Sequence, residues 1–363
     1  MFRDFIKLLV ILVFISIYSC GANKTIILKP SNPEIKYSGR IDKTEPDVTA
    51  LFWSGSSIKL NFEGSSIFAL MQNESSGNYY NAIIDNDSIF IFSPDTTKTY
   101  QKIASNLSKG KHTIELFRRN EWSRGKTNFY GYKIKGKPKV LPKTPELKRK
   151  IEFYGNSISA GYGVEDLTGK DSPDSTYTNN YKSYTAITAR HFNAEYNCIC
   201  KGGIGIMVSW FPLIMPEMYN RLNPQDENSL WEFSKYDPDV VVVNLFQNDS
   251  WLVNRKNHPE FNSRFGSQKP TKAFIVNAYV DFIETLRSKY PDAKIISMLG
   301  NMDATRKGSK WPSYIKEAVN SLNVSNIYTH FVPYKYSPGH PSEKEQEAIA
   351  ESLIQFIEDN IDW

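Results

Sequence analysis

The stretch Ile151-Glu152-Phe153-Tyr154-Gly155-Asn156-Ser157-Ile158-Ser159-Ala160-Gly161-Tyr162-Gly163 decides how the chain is read. Residues 151–154 are apolar or strand-compatible and predict a buried strand. Gly155 breaks it, and a serine follows two residues later. Small residues come next, ahead of a helical pattern. A strand that ends in a tight turn delivers the serine to the carboxyl edge of a sheet. The sheet fixes its position, and the glycine lets the backbone turn sharply. A helix starting there directs its first N–H groups toward developing negative charge. Ser157 is therefore a candidate nucleophile. Its hydroxyl reacts at neutral pH only with a base in hydrogen-bond reach and donors for the tetrahedral oxyanion.

Beyond this stretch strand and helix patterns alternate. Strands are expected at residues 151–154, 195–200, 240–246, 294–299 and 326–332. Helices are expected at 180–192, 273–289, 313–322 and 343–359. Alternation of this kind predicts a parallel sheet covered by helices on both faces. The run Val240-Val241-Val242-Val243 is apolar on both faces, as a central parallel strand requires. Of the five histidines, His112, His191, His258, His330 and His340, only His340 falls in a loop between the last strand and the last helix. That loop shares the sheet edge with the Ser157 turn, so His340 is the candidate base.

Four blocks now stand in order: Gly155-Asn156-Ser157, Gly202-Gly203-Ile204-Gly205, Gln247-Asn248-Asp249 and Gly339-His340-Pro341. The order resembles the SGNH hydrolases (the GDSL esterase superfamily), whose blocks carry a serine, a glycine, an asparagine and a histidine. The resemblance implies an α/β fold like that of flavodoxin, and oxyanion donors at Gly203 and Asn248 beside the Ser157 N–H. Three departures accompany it. Asn156 stands where the family has Asp. Phe246 stands where it has Gly and is expected to narrow the pocket. Ser337 and Pro338 occupy the positions from which an aspartate orients the histidine. Glu343 and Glu345 follow His340 on the helix, where they do not face back correctly. A Ser-His dyad is therefore expected, with a backbone carbonyl or a polar side chain orienting the imidazole.

Upstream of the linker, residues 39–137 have β character throughout. Short strands are expected at 56–62, 67–71, 79–84, 88–92, 112–117 and 130–134, separated by turns such as Glu63-Gly64, Asp85-Asn86 and Lys109-Gly110. These predict an antiparallel sandwich such as a jelly roll. Trp53 is expected inside the sandwich, and Arg118-Arg119 in solvent. Residues 138–150, with Pro138, Pro142 and Pro145 among lysines, read as an extended linker to the domain at 151–363. The whole pattern is similar to carbohydrate esterase family 2, which joins a jelly roll to an SGNH domain. Trp53-Ser54-Gly55-Ser56, Phe62-Glu63-Gly64 and Phe117-Arg118-Arg119-Asn120-Glu121 match its first-domain landmarks. Some of its members also lack the triad aspartate. The resemblance implies removal of O-acetyl groups from polysaccharides such as xylan or glucomannan, with Trp251 stacking on a sugar ring. The alternatives are an esterase acting on another acyl ester, and a polysaccharide-binding protein whose catalytic domain has decayed.

Composition narrows the remaining possibilities. The chain has 363 residues, a net charge of +5 and 40% hydrophobic residues, enough for two domains with cores. No basic run is long enough for a nucleic-acid arm; Lys148-Arg149-Lys150 is a short linker segment. The aromatic share of 13% suits sugar contact and a β-rich core equally. No His/Cys cluster has zinc spacing, so neither metal nor cofactor is expected. At the amino terminus Arg3 and Lys7 precede an apolar run over 8–17, too short to span a bilayer comfortably. Residues 1–20 resemble a bacterial lipoprotein signal, with cleavage before Cys20 and lipid on its thiol. Residues 21–38 then read as a tether, and Gly21 in place of Asp suits an outer-membrane destination in the cell envelope. Cys198 and Cys200 are read as small core residues, because a Cys-x-Cys strand pair rarely closes an unstrained disulfide.

Overall fold

The computed structural model describes residues 24–363. The segment holding Cys20 lies outside them. Chain order in the first domain is β1 (Thr25–Leu28), β2 (Lys36–Ser38), β3 (Ile41–Asp42), β4 (Thr49–Leu51), β5 (Ser57–Glu63) and β6 (Ser66–Asn73). Then come β7 (Tyr80–Ile84), β8 (Ser88–Phe92), β9 (Thr99–Ser105), β10 (Lys111–Arg118), β11 (Thr127–Lys135) and β12 (Lys139–Val140). They form two antiparallel sheets. One runs β3-β4-β11-β6-β9 with β1 on β11; the other runs β12-β5-β10-β7-β8 with β2 on β5. Alternation explains the packing: along β6 every second residue is buried, so Ile67, Ala69 and Met71 point into the sandwich.

Two boundaries move. The expected tether is sheet structure from Thr25 onward, because Ile26 and Leu28 pair with Ile134 and Tyr132 of β11. The proline-rich linker is extended as expected, but it is pinned. Val140 pairs with Phe62, Asn61 donates to the Pro142 carbonyl, and Lys36 Nζ donates to that of Pro145 at 2.9 Å.

The second domain is a five-stranded, wholly parallel sheet of β13 (Arg149–Gly155), β14 (Ala194–Cys200), β15 (Val240–Asn244), β16 (Lys294–Leu299) and β17 (Ile327–Phe331). Its order is β14-β13-β15-β16-β17. The chain leaves β13 in one direction and returns on its other side as β15, so the sheet has a switch point there. Ligands bind at such points, beyond the carboxyl ends of the strands. The helices are α1 (Ser157–Ala160), α2 (Tyr184–His191), α3 (Met215–Met218), α4 (Gln247–Leu252), α5 (Pro259–Phe265), α6 (Lys272–Lys289), α7 (Trp311–Leu322) and α8 (Glu343–Asn360). The valines of β15 divide between two cores, Val241 and Val243 toward one face and Val240 and Val242 toward the other. The expected helix at 180–192 begins instead as a 3-10 turn and becomes α2 at Tyr184. Among the described residues no helix is long and apolar enough to cross a membrane.

The domains are joined through buried groups. Arg40 of the sandwich is fully buried and pairs at 2.8 Å with Glu152 of β13, itself fully buried. Trp53 is 1% exposed, but it belongs to the core cluster around Ile204, Met215 and Val241 rather than to the interior of the sandwich, and its Nε1 donates to the Leu222 carbonyl. Arg118 and Arg119 are buried too, contrary to their expected solvation. Backbone carbonyls of Leu51 and Asn120 accept from Arg118, and Asn81 Oδ1 accepts from Arg119. A pair of arginines reads as solvated because burial of a charge is costly without such partners, and a linear sequence does not display them.

Candidate active site

Ser157 sits where β13 ends. Asn156 caps the turn that follows, its Oδ1 accepting the Ile158 N–H at 3.0 Å, so the Asn-for-Asp departure keeps the local geometry. The helix is a single turn, and the relevant donor is the Ser157 N–H itself. His340 lies in the loop before α8. Its Nε2 is 2.8 Å from Ser157 Oγ, the expected nucleophile–base pair.

The other face of the imidazole corrects the expectation of a dyad. Asp171 Oδ1 accepts the His340 backbone N–H at 2.7 Å and lies 2.9 Å from Nδ1. The approach to Nδ1 is close but bent away from the N–H axis. Neither Ser337 nor Pro338 supplies the acid, and Glu345 is engaged with Ser337 and Ser342. The carboxylate comes instead from the loop between α1 and α2, 169 residues before the histidine. No sequence signal separates Asp171 from Asp166 and Asp174 in the same loop, and only the fold brings it to His340. Burial raises the Asp171 pKa, but bonding to His340 and the Lys335 charge outweigh it and hold the carboxyl below its usual value. The backbone of Asp171 is left-handed, with φ of 57°, a conformation rare outside glycine.

Gly203 and Asn248 line the same cavity of about 630 Å³, together with Ser157, His340 and Trp251. Asn248 is 2% exposed and its amide orientation is set by its neighbours. Oδ1 accepts from Trp210 Nε1 at 3.0 Å, and Nδ2 donates one hydrogen to the Ile204 carbonyl at 2.8 Å. The second Nδ2 hydrogen is left for the cavity. Among the described residues nothing accepts from the backbone N–H of Ser157 or of Gly203. Three donors are thus free beside one hydroxyl. The loop of residues 205–208 is held from behind by Asp249, which accepts N–H groups of Ile206, Met207 and Val208. Burial pushes the Asp249 carboxyl up to about 6 against the pull of those N–H groups.

Trp251 lines the cavity, steadied by donation from Nε1 to Asp303 at 2.9 Å. Phe246 does not narrow it. That residue has φ of 78°, which explains a glycine at this position, and its ring turns into the core against Tyr279 and Trp311. Sequence reasoning also missed Glu121, Tyr162 and Lys335 on the cavity wall. Cys198 and Cys200 are buried free thiols, as expected of core residues. No cluster fit to hold a metal occurs among the described residues.

The chain is similar to several known proteins. A family model described as carbohydrate esterase 2 N-terminal matches residues 37–144. The cellulase/esterase CelE of Acetivibrio thermocellus is 34% identical over 345 residues, covering 92% of this chain and 40% of that protein. The chain thus spans about two fifths of the length of that relative. An acetylxylan esterase / glucomannan deacetylase of Cellvibrio japonicus is 24% identical, covering 94% of this chain and 93% of its own length. A solved family two carbohydrate esterase from Clostridium thermocellum, in complex with cellohexaose, superposes with a TM-score of 0.79 at 33% identity. The match covers 90% of this chain and 99% of that one. With a sandwich leading into a parallel sheet, and with this identity over nearly the whole of a solved relative, the chain belongs to carbohydrate esterase family 2.

Proposed function

We infer that this chain is a serine esterase that removes O-acetyl groups from polysaccharides, xylan and glucomannan being the substrates named for its relatives. The observation that carries the reading is the 2.8 Å Ser157–His340 contact beside three unengaged donors in one cavity. Ser157 Oγ attacks the acetyl carbonyl while His340 Nε2 takes its proton. The carbonyl oxygen becomes an oxyanion held by the Ser157 and Gly203 N–H groups and Asn248 Nδ2. Collapse breaks the ester bond, the sugar oxygen leaves with the proton from His340, and acetyl-Ser157 remains. Water then attacks, giving its proton to His340; the acyl–Oγ bond breaks as His340 returns that proton to Ser157 Oγ, and acetic acid departs as acetate. Asp171 acts on the imidazole, steadying its orientation and its charged form, and does not touch the acetyl group.

Trp251 offers a flat apolar face for a sugar ring at the cavity, and the cellohexaose complex of the Clostridium thermocellum relative supports glycan binding as such. The decisive experiment is acetate release from acetylated xylan and glucomannan by a soluble form lacking residues 1–20, with Ser157→Ala beside it. Release that vanishes in a folded variant is expected; equal release from both sinks the proposal. We further propose that Cys20 carries lipid and holds the enzyme in a bacterial cell envelope, on the outer membrane. The basic residues, short apolar run and cysteine at the amino terminus support this. Full-length protein should partition into the detergent phase of a cell extract, and Cys20→Ser should not; identical partitioning would refute the anchor.

A further inference from the structure

The stretch Arg119-Asn120-Glu121 leaves β10 at the domain boundary and reaches into the catalytic domain. Arg119 Nη2 donates to the Thr176 carbonyl at 2.7 Å and pairs with Glu165; Asn120 Nδ2 donates to the Ser175 carbonyl at 2.8 Å. Both contacts fall on the segment that carries Asp171. Glu121 turns the other way. One carboxylate oxygen accepts the Gly202 N–H, and the other accepts from Lys201 Nζ at 2.8 Å and from Ser123 Oγ at 2.7 Å. Its side chain is 13% exposed and lies on the cavity wall.

At Gly202 the approach is tight: a Cβ there would stand 3.3 Å from Glu121 Oε2, so a bare backbone eases the carboxylate's approach. Gly203 follows with φ of 83°, a left-handed backbone that favours glycine. The loop is therefore gripped at two points. Asp249, from its own domain, holds the N–H groups of residues 206–208, and Glu121 holds Gly202 from the other domain. Gly203 lies between the grips and has no acceptor of its own.

We propose that Glu121 is a positioning residue of the esterase: a carboxylate lent by the sandwich domain that aims the Gly203 N–H at the oxyanion. The proposal rests on the esterase reading of the site. Oxyanion donors act through preorganisation, and a displacement of 1 Å costs about 10²-fold in rate. Both Glu121 oxygens are engaged by Gly202, Lys201 and Ser123, so its removal acts through the Gly202-Gly203 backbone and should weaken transition-state binding more than ground-state binding.

Glu121→Gln tests this. The amide keeps the shape but has one acceptor oxygen for donors on two sides, so either Gly202 or Lys201 faces an NH₂ group. Lys201→Met is the companion, since it removes the ion pair and leaves the Glu121–Gly202 contact. The readouts are kcat and KM on an aryl acetate, corrected for the folded fraction measured by circular dichroism. Expected is a kcat about 10- to 100-fold lower for Glu121→Gln with KM changed less than about threefold, and a clearly smaller kcat loss for Lys201→Met. Wild-type kcat in folded Glu121→Gln overturns the proposal, as does a loss explained wholly by unfolded protein or an equal loss in Lys201→Met. Wild-type protein without turnover overturns the esterase reading as well, which separates the two failures.

Discussion

Asp171 shows how much a single residue can owe to its surroundings. Its backbone holds a left-handed conformation that costs a non-glycine residue roughly 1 to 2 kcal/mol, and its carboxylate meets both the backbone and the imidazole of His340. The bent approach to Nδ1 makes charge and backbone anchoring the main means of orientation. Asp171→Asn keeps an acceptor for the backbone N–H and loses the charge that stabilises the imidazolium. We predict a fall in kcat of about 10²- to 10⁴-fold, with the Ser157 loop intact. Stability should respond to pH in a defined direction. The folded pKa lies below the unfolded value of about 3.9, so the charge stabilises the fold above that value, and the contribution is lost as pH falls through the folded pKa. The melting-temperature gap between wild type and Asp171→Asn should close as pH falls below about 4. A gap that widens below about pH 4 would refute the assignment.

At the scale of elements, the site is two loops leaning on each other. The loop carrying His340 passes the loop carrying Asp171 at Gly339, which has φ of 67° and whose missing Cβ would stand 2.6 Å from the Gly169 carbonyl oxygen and 3.0 Å from Asp171 Oδ1. Any side chain there collides with backbone as well as adopting a disfavoured conformation. Gly339→Ala should pry the imidazole from Asp171 and lower kcat by about 10²-fold, while costing only about 1 to 3 kcal/mol of stability because the loop lies at the surface. Kinetics and urea denaturation on the same preparation would check both halves. The Lys335 side chain, only 3% exposed, backs this loop by donating to Ser337 and to the Pro338 carbonyl.

The whole molecule behaves as one unit because its charges are buried across the domain boundary. Arg40 donates to Glu152, to Tyr154 and to backbone carbonyls of the second domain, with no exposure on either partner of the ion pair. Removing one member leaves the other charged and buried, which costs roughly 3 to 5 kcal/mol. Arg40→Met should therefore lower the urea midpoint of both domains together, in a single transition. Separate transitions, or an unchanged midpoint, would show that the interface carries little of the stability. The same coupling gives the sandwich a share in the site, since Arg119, Asn120 and Glu121 brace catalytic-domain loops.

By itself the sequence determined what depends on local pattern. Alternation placed β5, β6 and β10, the valine run placed β15 at the sheet's centre, and the Gly-x-Ser turn, the Gly-Gly loop, Gln247-Asn248-Asp249 and Gly339-His340 were legible as four blocks. Such features are written in neighbouring residues, and strand or turn preference acts over a few positions. Tertiary structure decided which distant groups meet. It brought Asp171 to His340 from 169 positions away, buried Arg118 and Arg119 among carbonyls, turned Phe246 into the core and set Glu121 against Gly202. It also placed the stretch from Thr25 on β11, where Ile26 and Leu28 find partners more than a hundred residues away. The physical reason is common to all of these. A charge or a strained backbone is tolerable only beside the partners that compensate it, and those partners are fixed by packing rather than by sequence proximity.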